Sequence, residues 1–182
     1  MTLPETSKTH GKKILFDYAF LFGIGGGIIL LDQWTKTFVR ATIPLGADWL
    51  PEKMSWLMPY ARLRHWYNTG AAFGLFKDGN LVFTILAIIV SLAIIYYFPR
   101  IERNDWWLRL ALSMQFAGAV GNLVDRLLIK HVTDFISVGN FAVFNIADSS
   151  ISVGVAILAL GVVVKERQLK KQTKMLDEKN SE

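Results

Sequence analysis

No cysteine occurs anywhere in the 182 residues. Disulfides, thiolate zinc sites, iron–sulfur clusters and a cysteine nucleophile are excluded with it. Charge is scarce too: Asp, Glu, Lys and Arg make up 19% of the chain, below the roughly 25% of soluble domains. The chain has no HExxH, and its three histidines (His10, His65, His131) are scattered, which argues against a zinc protease. No G-x-S-x-G appears, and Ser149 and Ser150 have no His or Lys nearby to activate them. The glycines at 23–27 lie inside an apolar run with no GK[ST] after them, so they form no phosphate loop.

What the chain does have is apolar blocks. Apolar residues reach 52%, mean hydropathy is +0.34, and the runs approach the ~20 residues that cross a bilayer. Four spans are predicted, at about 14–31, 81–98, 106–129 and 146–164. Leu81 to Phe98 is the purest, with no charge, and Pro99 stops it. Trp106 and Trp107 open the third span as interfacial anchors. Lys12 and Lys13 precede the first span as in a signal peptide, but no A-x-A cleavage site follows, so it is read as a retained helix.

The net charge of +5 fits lysines and arginines flanking cytoplasmic helix ends, and no nucleic-acid partner is expected. Lys8, Lys12 and Lys13, then Arg100 and Arg103, then Lys165, Arg167, Lys170, Lys171 and Lys174 all fall on one side of a four-span chain. Both termini are then cytoplasmic. The first-to-second connection dissents, with Lys36, Arg40, Lys53, Arg62, Arg64 and Lys77. It is long and rich in Trp, Tyr and Pro, and alternation in Ala61 to Tyr67 reads as short strands. A small folded extracytoplasmic element is expected at about 40–77, and a basic cytoplasmic tail, helical at first and then frayed, at 165–182.

Charges inside a membrane cost roughly 2.5–3.5 kcal/mol each at helix centre, so the intramembrane acids call for a reason. On this topology Asp32, Asn122, Asp125, Arg126, Asp134, Asn145 and Asp148 gather near one extracytoplasmic depth. Asp32 either caps the end of span one or pairs with Lys36 four residues on. Asp125 and Arg126 can form a structural ion pair, and Asn122 is either interhelical glue or a substrate contact. Gly118, Gly121 and the 23–27 cluster read as close-packing positions. Asp134 and Asp148 differ, since they bracket a short excursion between spans three and four and have no base beside them.

Two facing carboxylates in a partly desolvated site share one proton. The ionised member takes a proton from water as it attacks a carbonyl. The protonated member polarises that carbonyl and later protonates the leaving amine. Asp148, in the first turn of span four, feels the helix dipole, which favours its anion.

At these residues the sequence resembles the bacterial lipoprotein signal peptidases (signal peptidase II), intramembrane aspartyl proteases. The matching blocks run in family order: Leu31-Asp32-Gln33-Trp34-Thr35-Lys36; Asn68-Thr69-Gly70-Ala71-Ala72-Phe73-Gly74; Ala117-Gly118-Ala119-Val120-Gly121-Asn122-Leu123-Val124-Asp125-Arg126; Val132-Thr133-Asp134-Phe135; and Phe144-Asn145-Ile146-Ala147-Asp148-Ser149. Two departures stand out. Phe116-Ala117-Gly118 replaces a common glycine pair, and the 14 positions from Asp134 to Asp148 are short for the family.

The resemblance implies one membrane-embedded peptidase domain over 1–182, all-α, with four transmembrane helices and a small extracytoplasmic β-cradle between spans one and two. It implies a catalytic pair at Asp134 and Asp148. Asn122, Arg126, Asn145 and Asn68 would contact the substrate, with Asp32, Lys36 and Asp125 in support. The implied substrate is a diacylglyceryl-modified prolipoprotein, cut just before its lipidated cysteine. Membrane lipid and globomycin-type inhibitors are the other implied partners, and no metal or organic cofactor is implied. The implied location is the bacterial cytoplasmic membrane, with the site near the extracytoplasmic face. The alternative is a small ion- or proton-coupled transporter using the same acids as a relay. Such proteins usually show repeated halves, and this chain has none.

Overall fold

The computed structural model describes residues 5–70 and 79–180. The Ala71 to Gly74 part of the second family block and Lys77 fall outside them. Four helices and a three-stranded sheet follow in the order α1 (Glu5–Thr42), β1 (Asp48–Trp49), β2 (Ala61–Asn68), α2 (Asn80–Tyr97), α3 (Trp106–Ile129), β3 (Val132–Val138) and α4 (Ile146–Asn180).

Three stretches are long and apolar enough to cross a membrane: Lys13–Thr42, Asn80–Arg100 and Ile146–Asp177. α3 has the length as well, at 24 residues, but it carries Arg109, Asp125 and Arg126. Its position explains how it tolerates them. It packs against α1, α2 and α4, and Arg109, Ser113, Asn122 and Asp125 are all buried on it. α2 buries only Ala87, Ser91 and Ile94.

Helix boundaries follow local chemistry. Asp105 caps α3, its carboxylate accepting from the Leu108 N–H at 3.3 Å. Lys130, at φ 67°, closes the same helix in the left-handed region and turns the chain into β3. Pro99 ends α2 in a 3₁₀ turn. The first helix differs from expectation: it does not stop near residue 31 but runs 38 residues to Thr42, just before Ile43-Pro44, where the proline ring disfavours helical backbone. Asp32 therefore sits within a helix and not at its end, and Lys36 and Arg40 belong to α1, not to a loop. The tail also departs from the expected fraying, since α4 continues to Asn180.

The alternating 61–67 segment is indeed a strand. β1, β2 and β3 form an antiparallel sheet in that order, with Trp66 opposite Asp134, Asn68 opposite Val132, and an irregularity between Leu63 and Trp66. Phe135 of the sheet packs with Val39 of α1 and with Ile43 just beyond it. A second core, of Leu21, Ile94, Phe98 and Phe116, joins α1, α2 and α3. Beside it Asp17 pairs with Arg109 at 3.0 Å and Arg103 at 3.1 Å.

Close helix contact needs Gly118, Gly121 and Gly25. It does not need Gly23, Gly26 or Gly27, where an added Cβ would meet nothing because that face of α1 has no helix against it. A Cβ on Gly118 would collide with the Ala147 carbonyl and the Ile151 side chain, and one on Gly121 would lie 2.9 Å from Asp32 Oδ2. One on Gly26 would meet nothing within 4 Å. Gly118→Val is expected to destabilise the protein by about 1–3 kcal/mol through overpacking, and Gly26→Val by much less. Thermal unfolding of both variants in one detergent checks this, and equal melting temperatures would refute the close-packing role.

Candidate active site

The site lies where the sheet meets the end of α3 and the start of α4. Asn145 immediately precedes α4, and its side-chain Oδ1 accepts the Asp148 N–H at 2.9 Å. The Asp148 carboxylate accepts the Asn145 N–H in return, at 3.2 Å. This reciprocal capping pair satisfies two otherwise unpaired donors at the helix start. A third, the Ala147 N–H, goes to Asp32 Oδ1 of α1 at 2.9 Å. A tight return brings this start back to β3. Phe144 bridges to Ile136, and its carbonyl accepts from the N–H groups of Phe135 and Ile136. The short Asp134–Asp148 link is folded back on itself, which is how so few residues bring the two acids to one place.

Three asparagines serve the two carboxylates. Asn145 Nδ2 donates to Asp134 Oδ1 at 2.7 Å, and Asn68 Nδ2 donates to Asp134 Oδ2 at 2.9 Å. Asn122 Nδ2 donates to Asp148 Oδ1 at 2.7 Å. Asp134 is 1% exposed. Burial above all, and then the neighbouring Asp148 charge, push its carboxyl up to about 7, against the lowering effect of the Asn68 and Asn145 bonds and of Lys36.

Behind the pair lies a second set of charges. Lys36, wholly buried, lies 2.8 Å from Asp32 and 3.4 Å from Asp125, and it donates to Asn122 Oδ1 at 3.0 Å. Asp125 thus pairs with Lys36 and, at 3.5 Å, with Arg40, not with Arg126. Asp125 Oδ2, the oxygen facing Lys36, also accepts the Thr133 N–H at 2.9 Å, and Arg40 donates to Thr133 Oγ1 at 3.0 Å. These contacts pin the start of β3, one residue before Asp134. Of the two roles open to Asp32, pairing with Lys36 holds, and the helix start it caps is that of α4.

A cavity of about 800 Å³ adjoins the acids. Its walls are mainly apolar, with Phe83, Leu86, Val90, Ile151 and Val153 among them, and its polar points include Asn68, Asn122, Arg126 and Asp148. The Arg126 guanidinium lies 5.5 Å over the Phe83 ring. Among the described residues no cluster of three or more His, Asp or Glu is placed to hold a metal ion. Every residue singled out from the sequence thus converges here: Asp32, Lys36, Asn68, Asn122, Asp125, Arg126, Asp134, Asn145 and Asp148. The strand carrying Asp134, together with Arg40 and Thr133, was not anticipated. The β-branched run Val132-Thr133, with Ile136 and Val138 beyond, is the signal that marks that strand.

Such a site within apolar helices defines a membrane enzyme, and comparison with known proteins narrows the class. Residues 24–164 match the family model described as signal peptidase (SPase) II. A lipoprotein signal peptidase of Pseudomonas putida is 36% identical over 73% of this chain and 80% of its own length. One from Streptococcus pneumoniae is 35% identical over 76% and 89%, and one from Halalkalibacterium halodurans is 38% identical over 80% and 92%. A solved bacterial membrane enzyme superposes with TM-score 0.72 at 29% identity, covering 80% of this chain and 88% of its own. The chain belongs to the signal peptidase II family. It is a bacterial membrane protease of lipoprotein processing.

Removing one partner from a buried charge set strands the others. Asp125→Ala, which deprives Lys36, Arg40 and the Thr133 N–H at once, is expected to cost about 3–5 kcal/mol. Asp48→Ala breaks only the partly exposed pairs with Arg62 and Arg64 and should cost about 0–1 kcal/mol. Melting temperatures in detergent separate the two, and a small loss for Asp125→Ala would show that this charge set does not hold the site together.

Proposed function

We propose that Asp134 and Asp148 are the catalytic pair of an aspartyl endopeptidase that removes signal peptides from diacylglyceryl-modified prolipoproteins. The cut falls just before the lipidated cysteine. One observation carries the proposal: two acids from separate elements, β3 and α4, share one buried amide network beside a large apolar cavity. That cavity suits acyl chains and an apolar signal segment, and family membership supports the substrate class.

In this mechanism Asp134 holds the proton that the pair shares, since burial and the neighbouring Asp148 charge raise its carboxyl to about 7. It hydrogen-bonds the scissile carbonyl while Asp148 accepts a proton from the attacking water. Water oxygen bonds to the carbonyl carbon. The tetrahedral species then loses its C–N bond as a carboxyl proton passes to the nitrogen, and one proton remains on the pair. Arg126, on the cavity wall, offers donors to the substrate's carbonyl groups. Asn68, Asn122 and Asn145 contact substrate through the edges of amides already anchored on the acids.

The chain forms one domain with four spans, α3 being the shielded fourth. The described part of the element after α1, 43–70, makes an extracytoplasmic cradle, and both termini are cytoplasmic. The basic clusters at 8–13, 100–103 and 165–174 support this orientation, as does the gathering of the acids at the sheet end of the helices. Globomycin-type peptides would compete in the same cavity.

Asp134→Asn and Asp148→Asn are each expected to lower cleavage of a lipidated prolipoprotein on the order of a thousand-fold without unfolding. A gel-shift assay in detergent on the lipidated and unlipidated precursors measures this. Near-normal cutting by either folded variant would overturn the assignment and leave Asp125 as the next candidate. A second expectation concerns pH. Because the raised group must be protonated to act, kcat/KM should fall as pH rises through about 7. A flat profile from pH 6 to 9 would contradict it.

A further inference from the structure

Lys36 touches neither Asp134 nor Asp148, yet its ammonium sits at the root of the network that reaches both. Its partners are Asp32 Oδ2, Asp125 Oδ2 and Asn122 Oδ1. An ammonium can only donate, whereas an asparagine amide offers a donor on one side and an acceptor on the other. The Asn122 atom facing Lys36 is therefore the carbonyl oxygen, and that oxygen also accepts Asn145 Nδ2 at 3.1 Å. The Asn122 nitrogen is left to face the other way, onto Asp148 Oδ1. Asn145 is constrained in turn: Nδ2 toward Asn122 and Asp134, Oδ1 on the Asp148 N–H. Were Asn122 reversed, its oxygen would oppose the Asp148 carboxylate and its NH₂ would confront both Lys36 and the Asn145 NH₂.

We infer that Lys36 is a positioning residue that sets the donor–acceptor polarity of an amide relay, Asn122 then Asn145, whose two ends present N–H groups to the catalytic carboxylates. This rests on the Asp134–Asp148 reading and adds to it a reason for a charged side chain in a wholly buried place. A neutral residue of the same size would leave the Asn122 oxygen held by the Asn145 N–H alone. Among the described residues the charged and titratable groups around this set are Asp32 and Arg40 from α1, Asp125 and Arg126 from α3, the two catalytic acids, and His131 just beyond α3, which senses the Asp125 and Arg40 charges. A lysine paired with one aspartate would give stability alone, but here the third Nζ contact is spent on an amide that leads to the acids.

The test uses the full chain in detergent with the lipidated prolipoprotein as substrate. Lys36→Met combined with Asp32→Asn removes one positive and one negative group together, so the buried charge stays balanced. Asn122→Ala removes the first link of the relay and leaves Lys36 both of its carboxylates. Each folded variant is expected to lose kcat by about a hundred-fold through misaligned groups, and the Lys36 variant, which touches no substrate, should keep its KM. The Lys36 variant should also shift the alkaline limb of the pH profile upward, because the Lys36 charge holds the Asp134 carboxyl down. A role in stability alone would lower the melting temperature and leave the limb where it was. Wild-type kcat in folded Asn122→Ala, or an unshifted limb in the folded Lys36 variant, overturns the inference. Asp134→Asn is run alongside: if it cuts like wild type, the catalytic pair is wrong. If it is inactive while the relay variants cut normally, only the relay is wrong.

Discussion

Everything near the active site depends on one constraint: a carboxylate taken out of water must find its hydrogen bonds within the protein. Four do so here, and each solution ties two elements together. Asp32 joins α1 to the first turn of α4 through the Ala147 N–H. Asp125 joins α3 to α1 and to the first residues of β3. Asp134 holds β3 to β2 and to the start of α4 through two asparagines, and Asp148 closes the capping pair. The apolar contact between sheet and bundle is Val39, Ile43 and Phe135 with Ala47, Leu63, Ile136 and Ile146 packed against them, and these acids add the polar ties to it.

The two sets of acids are treated differently, and the contrast gives each its role. Asp32 and Asp125 face cations directly, Lys36 at 2.8 and 3.4 Å and Arg40 at 3.5 Å. Asp134 and Asp148 receive only neutral amide donors at bonding distance among the described residues. A facing cation offsets a carboxylate's charge directly, whereas neutral amide donors do not. The kind of donor each receives thus sets the two acids proposed for catalysis apart from the two that brace the site.

Much of this was legible in the sequence because membrane burial makes polar residues conspicuous. The starts of α3 at Trp106 and of α4 at Ile146, the strand at 61–67, and the convergence of Asp134 and Asp148 all follow from apolar runs and punctuating residues. What could not be read was geometric. Hydropathy ends where Asp32 begins, but helical hydrogen bonding does not, so α1 continues to Thr42 and carries Lys36 and Arg40 to the site. Asp125 is next to Arg126 in sequence, yet adjacent residues on a helix point apart, so its partners came from α1. The strand at Val132–Val138 is short and lies beside a helix end, where its apolar residues merge with the preceding span.

The length of α1 has a mechanical meaning. At 38 residues and ~1.5 Å per residue it is a rod of roughly 57 Å, well beyond the ~30 Å hydrocarbon layer. The lysine beneath the acids is thus mounted on the same rod that spans the lipid, and Asp148 is mounted on another that runs to Asn180. No joint separates membrane from chemistry along either. Compliance is left to the thin parts of the sheet end: the two-residue strand β1 and the 3₁₀ turn Glu52–Leu57, which buries nothing. The candidate site thus stands on two continuous rods, and the lightest-packed backbone at its end of the molecule is that short strand and turn.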